Sequence, residues 1–138
     1  MNQAMTKNFK VGQSNELLRG NRLFDLHNCY GFAGLEASSH RSVRLQFLPD
    51  SVYGQGKPVL RLEFTGLMFF QLSDGFGTRE VPDIAELGYK SPEDRDLDWL
   101  LSEVQASASD HFVLRLSPHD FIRVFAEQAR LLTEEQVR

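Results

Sequence analysis

The chain has 138 residues, of which 41% are hydrophobic and 25% charged, and its formal net charge is −4 at pH 7. This length suits one domain with a sizeable core, and no apolar run approaches the roughly 18 residues of a membrane span. The single cysteine, Cys29, excludes an internal disulfide and a multi-cysteine zinc site. We therefore expect one soluble, cytoplasmic domain that does not enter a membrane.

The charge is unevenly distributed along the chain. Residues 74–110 contain ten acidic and three basic residues, a net charge of −7, which leaves +3 for the remainder. Nucleic-acid binding needs clustered lysine and arginine, so this segment predicts no nucleic-acid partner and favours a basic protein partner. The alternative is that a solvated surface carries these charges for solubility.

The N-terminal part gives weak structural signals. Residues 1–15 include two lysines but lack the apolar stretch of a secretory signal, so we expect a flexible tail followed by one domain over residues 16–138. Residues 24–37, in which aromatic residues alternate irregularly with glycines, predict one or two irregular strands. Residues 41–48 alternate polar and apolar side chains and predict a strand that ends at Pro49.

The clearest pattern is the segment 59–72, VLRLEFTGLMFFQL, in which Leu60, Leu62 and Phe64 alternate with polar residues before Gly66. This alternation is typical of a strand with one buried face. Gly66 alone is too short for a two-residue hairpin turn, so one long strand with a bulge or bend at this glycine is the alternative to two strands. A similar pattern over 111–116 extends the antiparallel sheet.

The segment 92–108 predicts the main helix. Ser91 can cap it, Pro92 suits its first position, and the acidic residues that follow favour the positive end of the helix dipole. Its apolar residues fall on one stripe, namely Leu97, Leu100, Leu101, Val104 and Ala108. The predicted fold class is therefore α+β, a mostly antiparallel β-sheet with one main amphipathic helix, about 92–108, packed on one face.

The segment 121–132 fits two templates. As a strand it alternates Ile122 and Val124 with Arg123 and Phe125, whereas as a helix it aligns Phe121, Phe125, Ala129 and Leu132. Because a short polar linker precedes it, we favour a strand over 121–126 that pairs back on 111–116.

Trp99 is the leading candidate for a functional residue. On the predicted helix it lies about 200° from Leu97, on the side opposite the apolar stripe and beside Arg95 and Glu103. Tryptophan is enriched at interface hot spots, so this position predicts a partner-binding surface, to which we add Asp94, Asp96 and Asp98. The alternative is that another part of the chain covers the indole, because tryptophan is usually mostly buried.

Other polar clusters match no known site. Asp25, His27 and Cys29 have the spacing of one strand face, and a Cys–His pair could form a nucleophile with its base, but no oxyanion-stabilising loop accompanies them. The alternating Asp94, Asp96 and Asp98 lack the glycine and glutamate of a calcium loop. We assign no catalytic, cofactor-binding or metal-binding residue.

The order of the segments LHNCYGFAGLEAS, SVRLQFLPD, PVLRLEFTGLMFFQL and HFVLRLSPHDFIRVFA, over residues 26–126, resembles small bacterial α+β domains, including some toxin-immunity proteins. The resemblance implies a small intracellular protein that binds another protein and has no activity of its own. We therefore expect a non-enzymatic protein-binding module with an acidic contact surface. The alternatives are a small enzyme or ligand-binding domain, with Asp25, His27 and Cys29 as its polar cluster, and a structural homo-oligomer.

Overall fold

Strands dominate the computed structural model, which describes residues 4–38, 40–77, 83–117 and 119–134 and is about 59% strand and 6% helix. The strands are β1 (Thr6–Lys7), β2 (Lys10–Val11), β3 (Glu16–Arg19), β4 (Arg22–Asp25), β5 (Tyr30–Ser38), β6 (Ser42–Pro49), β7 (Val59–Leu72), β8 (Ile84–Lys90), β9 (His111–Leu116) and β10 (Asp120–Glu134). A one-turn helix, α1 (Leu26–Cys29), precedes β5, and one 3-10 turn spans Glu103–Gln105.

The main sheet is antiparallel and curled, with the strand order β5-β6-β7-β10-β9-β8. Its two end strands approach each other where Gly31 of β5 forms an isolated bridge with Asp83, just before β8. β1 adds to the sheet in parallel beside the second half of β10, with Thr6 opposite Gln128. β2, β3 and β4 form a separate three-stranded antiparallel sheet.

One face of the curled sheet makes the core. Alternation along β6, β7, β9 and β10 points one set of apolar side chains inward, because successive residues of a strand face opposite sides. This set is fully buried and includes Leu45, Phe47, Leu60, Leu62, Phe64, Phe112, Leu114, Ile122 and Val124. The strand predictions for 41–48, 59–72 and 111–116 are confirmed.

β10 resolves the ambiguity of the last segment in favour of a strand. Ile122 lies opposite Leu114 of β9 and opposite Leu72 of β7, so the predicted pairing with 111–116 is confirmed. The strand continues to Glu134, well beyond the expected end, because β7 pairs with it from Ile122 to Glu134.

β7 is one long strand. Of the two predictions for this segment, the one with a bulge or bend at Gly66 is therefore confirmed. The register with β10 shifts between Phe69 and Leu67, where Met68 is the extra residue. Gly66 has φ +69°, a backbone conformation that glycine adopts without a Cβ penalty. The extra residue of the bulge thus lies two positions after the glycine.

The predicted helix over 92–108 is wrong, and with it the α+β fold class. Among the described residues of this segment only the 3-10 turn Glu103–Gln105 is helical. The side chains of Asp94 and Asp96 each accept the backbone N–H two residues later, at 2.9 Å, and such local bonds compete with the helical ladder. The backbone of Leu101 pairs with Tyr89 at the free edge of β8 instead.

The segment from residue 4 to residue 15, expected to be part of a flexible tail, is built into the domain. It supplies β1 and β2, and it buries Met5, Phe9 and Val11 against the core. The Asn8 side chain also donates to the backbone O of Leu131 and accepts from its N–H, at 3.1 and 2.7 Å. Domain packing therefore begins before residue 16.

Candidate binding surface

A loop over residues 91–100 lies against the outer face of the sheet, the face opposite the core. The buried Arg123 of β10 holds it there, because its two terminal nitrogens donate to the carbonyl oxygens of Ser91 and Asp94 at 2.6 and 2.7 Å. Gly88 of β8 leaves room for the far end of the loop, since a Cβ there would lie 2.6 Å from the carbonyl oxygen of Leu101. The 91–100 loop is thus positioned by the sheet.

The three predicted aspartates help to shape this loop. Asp94 pairs with Lys90 of β8 at 3.1 Å, and Asp98 lies 4.0 Å from Arg115 of β9. The pKa of Asp94 is below its usual value, chiefly because it accepts the Asp96 N–H and a hydrogen bond from Lys90. Part of the acidic charge of the loop is therefore neutralised within the molecule.

Trp99 lies near the end of the 91–100 loop and is 85% exposed. Its φ of +62° is unusual for a bulky residue and costs of the order of 1–3 kcal/mol, which the surrounding structure must offset. No described part of the chain covers the indole. The exposed side chain expected from the sequence is thus present on a loop in place of a helix.

Arg95 is exposed on the same loop and lines a groove of about 610 Å³. The groove lies between the loop and the outer face of the sheet. Its lining residues, which define the aromatic groove, are Phe69, Phe70, Gln71, Pro92, Arg95, Leu97, Phe121 and Arg123. Phe69, next to the bulged Met68, is 40% exposed.

Glu103, the remaining predicted contact residue, belongs to a different cluster. Its carboxylate accepts hydrogen bonds from Lys7 at 2.6 Å, from the Tyr89 hydroxyl at 2.7 Å and from the Val11 N–H at 3.0 Å. Burial opposes its ionisation, but these bonds hold the pKa of Glu103 below its usual value. Burial and Glu103 together raise the pKa of Tyr89. The cluster anchors the N-terminal segment and leaves Glu103 unsuited to steering a partner.

His111 forms a buried polar contact beneath the aromatic groove. Its Nδ1 accepts the Nε–H of Arg123 at 3.0 Å, and its ring lies 4.5 Å from Phe69 and 5.6 Å from Phe125, between centroids. Burial first, and the Arg123 charge second, lower the pKa of His111, while Asp110 acts in the opposite direction. The imidazole is therefore a neutral acceptor at neutral pH.

The residues predicted to be functional from the sequence do not include His111, Arg123, Phe69 or Phe121. A signal was present in the strand template for 121–126, where Arg123 and Phe125 occupy the face opposite Ile122 and Val124. An arginine between aromatic residues on the second face of a strand indicates that something covers that face.

The polar cluster Asp25, His27 and Cys29 does not form one strand face. Asp25 caps α1 and accepts the Asn28 N–H at 3.1 Å, and Nδ1 of His27 lies 2.7 Å from the carbonyl oxygen of Ile84. The backbone O of Cys29 accepts the Asp50 N–H. These contacts connect α1 to its neighbours, and none of them links the thiol to the imidazole.

The described residues contain neither a metal-binding cluster nor a helix that could cross a membrane. No three His, Cys, Asp or Glu side chains in this part of the chain are grouped so that they could hold a metal ion. The part of the chain that the structure describes also contains no helix of the length and apolar character needed to cross a membrane.

Comparison with protein-family models, with curated proteins and with solved structures finds no match in any of the three. The resemblance to immunity-type domains therefore stays a prediction.

Proposed function

We propose that this chain is a non-enzymatic protein-binding module of the immunity or accessory type, which contacts a basic protein partner through the 91–100 loop. The observation that carries the proposal is Trp99, 85% exposed on a loop that Arg123 holds against the sheet. A large apolar side chain held away from the core contributes little to folding, whereas it is well suited to fill a pocket on a partner.

The rigidity of the loop supports this role. The backbone carbonyls of Ser91 and Asp94 are fixed by Arg123, and the Asp94 and Asp96 side chains fix the turns that follow. A contact residue presented in a fixed conformation loses less conformational entropy on binding. Binding through Trp99 therefore requires less ordering of the loop backbone.

The charge of the loop supports a basic partner. Glu93 and Asp96 are exposed, and no described residue pairs with either side chain in an ion pair, whereas Asp94 and Asp98 are partly neutralised by Lys90 and Arg115. Exposed carboxylates at the rim speed the encounter with a positively charged surface and are screened by salt. Steering in this proposal depends mainly on Glu93 and Asp96.

The test is affinity capture with the whole chain from a lysate of the cells that express it, at low and high salt, followed by affinity measurement with the captured protein. We expect the Trp99→Ala variant to bind that protein at least about tenfold more weakly, as is usual for a tryptophan hot spot. The matched control is Tyr53→Ala, which removes a 73% exposed aromatic residue from the β6–β7 connection and should leave the affinity unchanged.

The proposal fails if the Trp99→Ala and Tyr53→Ala variants bind the captured protein equally well, or if high salt strengthens binding. Light scattering of the free chain separates the homo-oligomer alternative: a dimer that Trp99→Ala converts to a monomer would identify the partner surface as a second copy of the chain.

A further inference from the structure

The aromatic groove differs in charge from the loop that borders it. The 91–100 loop carries four carboxylates, yet the eight residues that line the groove include two arginines and no acidic residue. A site lined by one sign of charge on a low-dielectric wall concentrates ligands of the opposite sign. Both charged side chains that line the groove are therefore cationic, in a chain whose net charge is −4.

Arg123 is a buried cation whose hydrogen-bond partners are all uncharged. It is 4% exposed, and its hydrogen-bond partners are the His111 imidazole and the carbonyl oxygens of Ser91 and Asp94. The Asp94 carboxylate is turned to Lys90. Among the described residues no carboxylate lies within 4.0 Å of this guanidinium, and three bonds leave two of its five N–H donors for another acceptor. Burial lowers the pKa of Arg123 and the nearby charge of Asp94 raises it, so a further anion in the groove would also stabilise the buried guanidinium.

Arg95 is the second cation of the groove. It is exposed, and no described residue forms an ion pair or hydrogen bond with its side chain. The apolar part of the lining includes the rings of Phe69 and Phe121, and the volume of about 610 Å³ lies in the range of small-molecule sites. Aromatic rings next to a guanidinium favour a planar ligand that stacks on the rings and pairs with the cation.

We propose that the aromatic groove binds a small planar aromatic carboxylate. Arg95 holds the carboxylate, the Arg123 charge stabilises it from below, and the ring of the ligand stacks on Phe69 and Phe121. This site shares the 91–100 loop with the proposed partner surface, but Trp99 does not line the groove, so the two proposals are tested by different residues.

The test is isothermal titration calorimetry of the whole chain with 2-naphthoate at low ionic strength and pH 7.5, compared with neutral 2-naphthamide. We expect 1:1 binding of 2-naphthoate and binding of the amide that is at least about tenfold weaker, because the charge-assisted bond to Arg95 is lost. In a ¹H–¹⁵N spectrum the shifts should concentrate at residues 69–71, 92–97 and 121–123.

The Arg95→Gln variant should weaken 2-naphthoate binding at least about tenfold. Arg130→Gln is the matched control: it removes an exposed arginine seven residues from Arg123 along β10, roughly 23 Å in an extended strand, and should bind within twofold of the wild type.

The site is refuted if 2-naphthoate does not bind at millimolar concentration, if the amide binds equally well, or if Arg95→Gln binds like Arg130→Gln. Those results leave the Trp99 test unaffected, and loss of partner binding by Trp99→Ala leaves the groove unaffected.

Discussion

The contact between His111 and Arg123 connects the protonation state of one residue to the position of the whole 91–100 loop. Nδ1 of His111 accepts from Nε of Arg123, whose other nitrogens hold the loop. Protonation of Nδ1 removes that acceptor and places a second positive charge beside the guanidinium. Lys90, opposite His111 in the β8–β9 register, adds positive charge, and Asp110 is the neighbouring carboxylate.

We expect the free energy of unfolding to fall as the pH is lowered below about 6.5, the ordinary pKa of histidine. Burial and Arg123 lower the pKa of His111 in the folded state, so the unfolded chain binds the proton more tightly. The stabilisation of the folded state by neutral His111 is complete above pH 6.5. It is lost as the pH falls through the lowered pKa of His111 in the folded state. Urea denaturation at pH 7.5, 6.5, 5.5 and 5.0 measures this loss.

The His111→Gln variant should show a flatter pH dependence over this range. Its amide does not titrate, and His40→Gln, which changes an exposed histidine, is the control that should follow the wild type. Glu103 and Asp94 also have lowered pKa values, but they titrate at lower pH and are present in all three proteins. Parallel curves for the three proteins would contradict a role for His111.

At the scale of elements, the chain after β8 leaves the strand, forms the 91–100 loop, and returns to the edge of the same strand. Leu101 exchanges two backbone hydrogen bonds of 2.9 Å with Tyr89, next to Gly88. A Cβ on Gly88 would lie 2.6 Å from the carbonyl oxygen of Leu101 and 2.7 Å from the Cβ of Leu100. The return of the chain therefore requires glycine at this position.

The Gly88→Ala variant should be destabilised by about 1–3 kcal/mol, the usual cost of overpacking, because backbone atoms have to move. Urea denaturation measures it, and quenching of Trp99 fluorescence by acrylamide reports any displacement of the loop. The matched control is Gly31→Ala in β5, where nothing lies within 4 Å of the added Cβ. Equal stability of the two variants would show that the loop does not pack closely on β8.

The strands that could be predicted are those whose sequence fits only the alternating pattern of a strand. β6, β7 and β9 alternate over six or more residues, and no local hydrogen bond opposes the strand. Residues 92–108 carry a helical stripe as well, but Asp94, Asp96 and Asp98 have low helix propensity, and the side chains of Asp94 and Asp96 bond to nearby backbone N–H groups. Three aspartates at alternate positions were the sign that a loop could replace the helix.

The candidate site could be predicted only in part, because it is assembled from segments far apart in the chain. The charge of the residues around Trp99 follows from the local sequence, whereas its exposure was predicted from a helix that does not form. The aromatic groove needs Phe69 of β7, Arg95 of the loop and Phe121 of β10 in one place. Their proximity depends on the β7–β10 pairing and on the Arg123 contacts. Neither can be predicted from the pattern of a single sequence.

At the scale of the whole molecule, the N-terminal segment completes the core of the curled sheet. Phe9 is 4% exposed, and its ring packs edge-on against Phe112 with the centroids 6.5 Å apart. Lys7, Tyr89 and Glu103 hold the segment on one side of Phe9, and Asn8 binds the backbone of Leu131. Stability of the sheet should therefore depend on residues at the beginning of the chain.

The Phe9→Ala variant should lose about 3–5 kcal/mol of unfolding free energy, the cost of removing a buried phenylalanine and leaving a cavity. The control is Lys10→Ala, which changes the next, exposed residue and should alter stability by less than about 0.5 kcal/mol. Chemical denaturation monitored by far-UV circular dichroism compares the two. If the N-terminal segment were a flexible tail, neither substitution would change the stability. Equal stability of Phe9→Ala and Lys10→Ala would therefore show that this segment is not part of the folded domain. It would also contradict the anchoring role of the Lys7, Tyr89 and Glu103 cluster.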